Sequence, residues 1–155
     1  MIRNDQQIAI NEVIREQKGI FFFLQKLSQQ VGDKQLSSKC EQDARFHLDC
    51  IDALNSIIQE MEDLPRAPNA DMIAVEEALM QIKAQLSSDA DLAFLNELRG
   101  FEKKLIDTVS DALKFELPEA AMRILNEIRS HSLVSAKEFD RIENCLNAKE
   151  GDGSG

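Results

Sequence analysis

Apolar residues return at intervals of three and four along almost the whole chain, in stretches too long for anything but helices. From about Asn4 to Val31 they are Ile10, Val13, Ile14, Phe21, Leu24, Leu27 and Val31, and from about Lys34 to Asp63 they are Leu36, Cys40, Ala44, Ile51, Leu54, Ile58 and Met61. A repeat near 3.6 residues places such side chains on one face of an α-helix. A third long stretch, capped by Ser87-Ser88-Asp89 and reaching about Glu116, carries Leu92, Leu95, Leu98, Leu105, Ile106, Val109 and Leu113. The last begins at Pro118, which the first turn of a helix tolerates, and carries Ala121, Leu125, Ile128, Ile142 and Leu146 to about Asn147. Between the second and third lies the linker PRAPNA and a shorter helix, Met72 to Leu86, with Asn69 or Asp71 as its cap. With 6 Gly and 3 Pro in 155 residues, little interrupts these helices, and the chain is expected to be all-α.

Four helices of nearly matched length, about 40 Å each at about 1.5 Å per residue, and one of half that length make the plan of a four-helix bundle. The short helix and its linkers are long enough to cross the bundle between long helices 2 and 3, as a ferritin-like connection requires. A simple up-down-up-down bundle needs only a tight loop there. Residues 1–149 are therefore expected to form one such domain, with residues 150–155 as a flexible polar tail.

The formal net charge of −10 opposes binding to phosphate backbones, and the densest basic points, Lys103-Lys104 and Arg123 to Arg129, are interleaved with carboxylates. No nucleic-acid partner is expected. Nor is a membrane partner, because nowhere do about eighteen apolar residues run together, and the opening residues lack the apolar core of an export signal. Cys40, Cys50 and Cys145 are odd in number, and the first two are too far apart on one helix to bridge. Reduced thiols in a cytoplasmic protein fit this set.

Four polar residues interrupt the inward stripes, each near the midpoint of its helix: Gln17, His47, Glu102 and His131. In a bundle of equal-length helices the midpoints share one height, so these four are expected to face one another. Both histidines of the chain fall there, each with a carboxylate four residues earlier, Asp43 for His47 and Glu127 for His131. Imidazole nitrogens and carboxylate oxygens converging from facing helices suit iron or another divalent transition metal. The candidate metal ligands are thus Asp43, His47, Glu102, Glu127 and His131. The competing reading is a hydrogen-bonded layer that fixes helix register, with no cofactor and with Asp43 and Glu127 on solvated flanks.

The runs INEVIREQKGIFFFLQKL, CEQDARFHLDCIDAL and SSDADLAFLNELRGFEKKLIDTVSDALKFELPEAAMRILNEIRSHSLVSAKEFDRI resemble a ferritin-like four-helix-bundle family of bacterial proteins with no assigned function. The resemblance rests on the helix order, on Lys18-Gly19 before the aromatics, on Arg45-Phe46, and on Asp111-Ala112-Leu113-Lys114 followed by Leu117-Pro118. It implies the fold. The chain has Val109 where the family usually carries tyrosine and Phe139 where it usually carries histidine. Ferritin-like metal enzymes also use two Glu-x-x-His pairs, and this sequence has neither.

GIFFFL puts Phe21, Phe22 and Phe23 side by side, and at about 100° per residue they cannot share a face. With Phe21 inward, Phe22 and Phe23 point to either side, and Ile20, Phe23 and Leu27 form a second apolar strip. Ile20, Phe22, Phe23 and Leu27 are accordingly expected at an interface, in a homodimer formed through helix 1 or the crossover. The expectation for function is a non-enzymatic bundle that self-associates or binds a partner, with metal binding by the central layer as the alternative.

Overall fold

The computed structural model describes residues 5–61, 72–84 and 90–153. Every element among them is an α-helix: α1 (Asp5–Ser28), α2 (Lys34–Glu60), α3 (Met72–Ala84), α4 (Ala90–Ala112) and α5 (Glu119–Gly153). The expected linker PRAPNA and the caps at Asn69, Asp71 and Asp89 lie outside the described residues. α1 stops at Ser28, short of Val31, because the chain turns there: Gln30 and Val31 both donate their backbone N–H to the Leu27 carbonyl. Asp33 then starts α2, its extended backbone and side chain accepting the Leu36 N–H at 2.9 Å. Pro118 stands just ahead of α5, and its carbonyl accepts the Met122 N–H at 3.0 Å. α5 runs past Asn147 to Gly153, so residues 150–153 of the expected tail are helical. Ala148, Lys149 and Glu150 are good helix formers and offer no stop signal there.

α1 packs against α2 and α4, and α5 packs against the same two, while α3 lies against α1 and α4. The four long helices thus close a ring, and contacts at their ends fix its directions. The Gln6 side chain reaches the Glu116 carbonyl at one end, while the Gly32 N–H meets Asp91 Oδ1 at 3.4 Å at the other, so α1 and α4 are antiparallel. Lys39 with Glu138 and Asp43 with Ser135 set α2 antiparallel to α5, and Arg99 with Asp140 and Glu143, together with Glu102 beside Ser132, sets α4 antiparallel to α5. It follows that α2 and α4 run the same way. The connection that contains α3 has to return the chain from one end of the ring to the other.

The core corrects the placement of the phenylalanines. Phe23 is fully buried, its ring centroid 4.7 Å from that of Phe101 and 5.6 Å from that of Phe94 on α4, and Ile20 and Leu27 are buried with it. Three of the four residues expected at an interface therefore belong to the chain's own interior. The reason is the width of the buried face. α1 touches three neighbours, so its buried arc spans Ile10, Val13, Ile14, Gln17, Ile20, Phe23, Leu24 and Leu27. Phe23 closes one edge of that arc and Phe21, half-buried, lies at the other, while only Phe22, 36% exposed, points away. Among the described residues the most exposed large apolar side chains are on α3, Ile73 at 70% and Met80 at 69%. Among the described residues no helix is long and apolar enough to cross a membrane.

Candidate functional site

Gln17 and His47 are completely buried, each set by helical spacing between core residues, Gln17 between Ile14 and Ile20 and His47 between Ala44 and Cys50. The His47 Nδ1 faces the Gln17 side-chain oxygen. That oxygen only accepts, so Nδ1 carries the proton and Nε2 is left as a bare lone pair. Burial, reinforced by neighbouring His131, pushes the His47 pKa down to about 3, so the ring is neutral at physiological pH. The His131 ring lies edge-on to it with centroids 5.7 Å apart, and stacks on Phe46 at 3.7 Å and 13°. His131 is partly exposed, with 22% of its side chain accessible.

Two halves of the layer differ in how well they are satisfied. In one, Asp43 accepts from Lys39 Nζ at 2.8 Å and from the Ser135 hydroxyl, and Lys39 also reaches Glu138 at 2.5 Å. Burial alone would raise the Asp43 pKa, but its contacts with His131, Lys39 and Ser135 outweigh that and hold it below the usual carboxylate value. Burial likewise works against the Lys39 charge, and its bonds to Asp43 and Glu138 more than restore it. This half is a closed ion-pair network.

The other half is open. Gln17 Nε2, His47 Nε2, both Glu102 carboxylate oxygens, His131 Nε2 and Ser132 Oγ are buried without a hydrogen-bond partner, and among the described residues these are all such side-chain atoms. His131 Nε2 stands 3.4 Å from Asp43 Oδ1, too long for a good hydrogen bond. Burial lifts the Glu102 pKa to about 7, a rise to which Asp43 adds and which Ser132 and His131 oppose. Each unmade buried bond costs about 1–3 kcal/mol. A layer of this kind calls for something polar to fill it.

The sequence-predicted residues thus divide. Gln17, His47, Glu102 and His131 come from four different helices, and hydrogen bonding, ring contact and electrostatics link them through one region. Asp43 lies beside them but is spent on Lys39 and Ser135. Glu127 is exposed, and its influence falls on Cys50, whose thiol is pushed up to about 12 by burial first and by Glu127 and Asp49 after it. Ser132, Lys39 and Phe46 were not foreseen, although Ser132 sits on the inward stripe between Ile128 and Ser135 and Lys39 precedes Asp43 by one turn. Among the described residues no three His, Cys, Asp or Glu side chains stand together as a ready metal site. The residues do not fit a two-metal carboxylate centre, since Glu102 is the one candidate carboxylate both buried and uncommitted.

A protein-family model described as a domain of unknown function (DUF2383) matches residues 5–115. That span holds Gln17, Asp43, His47 and Glu102, while His131, Ser132 and Ser135 on α5 lie beyond it. No curated protein and no solved structure matches the chain.

Proposed function

The chain belongs to the DUF2383 family, whose function is unknown, and we propose that it is a ferritin-like four-helix bundle that binds a metal ion in its central polar layer without catalysing a reaction. Parallel α2 and α4 joined by a crossing connection support the ferritin-like topology over an up-down-up-down one. The observation that carries the binding reading is that, among the described residues, the unpartnered buried polar atoms fall in this layer and include a carboxylate and a neutral imidazole lone pair. Free thiols at Cys40, Cys50 and Cys145 agree with a reducing, cytoplasmic setting, and the net charge of −10 argues against nucleic acid as partner. The test is elemental analysis of full-length protein purified without chelator or affinity metal, and again after anaerobic ferrous or zinc loading and desalting. Retained metal near stoichiometry supports the reading, and metal-free protein from both samples counts against it.

Self-association is a second reading, favoured by one observation. Ile73 and Met80 lie seven residues apart, two turns on one side of α3, and are the most exposed large apolar side chains described. A homodimer would place the crossover, rather than α1, at its interface. Light scattering on a sizing column should then show a dimer that Ile73→Glu with Met80→Glu converts to monomer; a wild-type monomer at about 100 μM, well above the micromolar affinities typical of stable interfaces, removes the reading.

A further inference from the structure

The open half of the layer has a definite chemistry. Three of its buried atoms, Glu102 Oε1, Glu102 Oε2 and His47 Nε2, offer electron pairs and have no donor in good hydrogen-bonding geometry, Ser132 being the hydroxyl beside Glu102, and such a set is the complement of a small cation. Resting on the metal-binding reading above, we propose that the layer holds a single divalent transition-metal ion through Glu102 and the Nε2 of His47, with water and the Ser132 hydroxyl completing its shell and Gln17 acting as the positioning residue that keeps His47 in its ligating tautomer.

The class of ion follows from the donors. An imidazole nitrogen beside a carboxylate suits zinc, cobalt or ferrous iron, whereas magnesium and calcium prefer shells of oxygen. The number follows from what remains free. A second ion would need Asp43, and withdrawing that carboxylate from Lys39 leaves a largely buried ammonium with Glu138 as its one remaining ion-pair partner. Glu127 is exposed, and its charge acts on Cys50. Two protein groups make an incomplete shell, which is consistent with the lack of any three-residue metal cluster among the described residues. Water therefore completes it, and His131, stacked on Phe46, is a partly exposed member of the layer.

Gln17 fits the positioning role because a ligating histidine is characteristically held by a hydrogen bond at its other ring nitrogen. Here the held nitrogen is Nδ1 and the free one is Nε2. Losing such a partner typically weakens metal affinity about 10–100-fold.

The test uses the full chain stripped of metal and then titrated with zinc or cobalt ions alone, read by elemental analysis after desalting and by cobalt absorption. One equivalent is expected, at least tenfold weaker in Glu102→Gln, unchanged in Glu127→Gln, and about 10–100-fold weaker in Gln17→Leu. In Gln17→Leu the histidine nitrogen spectrum should also show a mixed His47 tautomer, which a purely structural loss would not produce. Two equivalents, or one that Glu102→Gln leaves unchanged, would overturn the ligand assignment while metal binding itself stands. No retained metal in wild type overturns both. Circular dichroism of each variant separates lost binding from lost folding, and the wild-type stoichiometry decides between one ion and two even where a variant fails to fold.

Discussion

In the metal-free protein, replacing Glu102 with glutamine should stabilise the fold, and only at neutral and higher pH. The folded-state carboxyl titrates at about 7 against an ordinary value of 4.5, with burial the main cause. Its proton is therefore held more tightly in the folded state than in the unfolded one. Below about pH 4.5 both states are protonated and the group costs nothing; as pH rises towards 7 the folded protein comes to carry a buried carboxylate that the unfolded chain would hydrate. At about 1.4 kcal/mol per pH unit, the gap amounts to about 3 kcal/mol, fully expressed above pH 7. Urea unfolding of wild type and Glu102→Gln, both with chelator, gives the comparison. The stability difference between variant and wild type should be about 3 kcal/mol more favourable at pH 8 than at pH 4.5. Taking that difference between two pH values cancels whatever the amide itself gains or loses. An equal effect at both pH values would refute the reasoning, because it would mean that Glu102 already has a partner for its charge.

The same layer makes a second pH prediction. His47 is pushed down to about 3 from 6.5, so its contribution is intact above pH 6.5 and is lost as pH falls towards 3, opposing Glu102 between 4.5 and 6.5. In Glu102→Gln the opposition is gone, and stability should fall by about 1.4 kcal/mol per pH unit over that interval, a slope that adding His47→Gln flattens. Phe23→Ala should cost about 3–5 kcal/mol, and Phe22→Ala less than about 1 kcal/mol, by thermal or urea unfolding; similar costs would contradict the burial of one and exposure of the other. A thiol reagent at pH 8 should label Cys145 promptly and leave Cys40 and Cys50 unlabelled until the chain unfolds, since burial drives both buried thiols up to about 12. Rapid labelling of more than one thiol in the folded protein would show that the core is open.

The helices and their inward faces were legible because a period near 3.6 persists through each of them. The layer was legible for a related reason: a polar residue at the midpoint of each matched helix has few places to go but the middle of the bundle. What periodicity does not contain is the direction of a small offset. Asp43 and Glu127 each precede a histidine by four residues, and a separation of four turns a side chain by about 40° from its partner. On α2 that offset leads into the contact with α5, where Lys39 and Ser135 receive Asp43. On α5 it leads to solvent, and Glu127 is exposed. The phenylalanine register failed for want of neighbour count. A helix with three packing partners buries a wider arc than a single stripe suggests, so Ile20, Phe23 and Leu27 went inward. A serine on an inward stripe, as Ser132 is, gives no signal stronger than that of a small core residue.

The most direct test of the central claim is the nitrogen spectrum of His47 in uniformly labelled wild-type protein at pH 7, before and after one equivalent of zinc. The account predicts a neutral ring protonated on Nδ1 and bare at Nε2, with the Nε2 resonance moving when zinc is added and the Nδ1–H retained. A proton on Nε2, or a spectrum that zinc leaves unchanged, would contradict it.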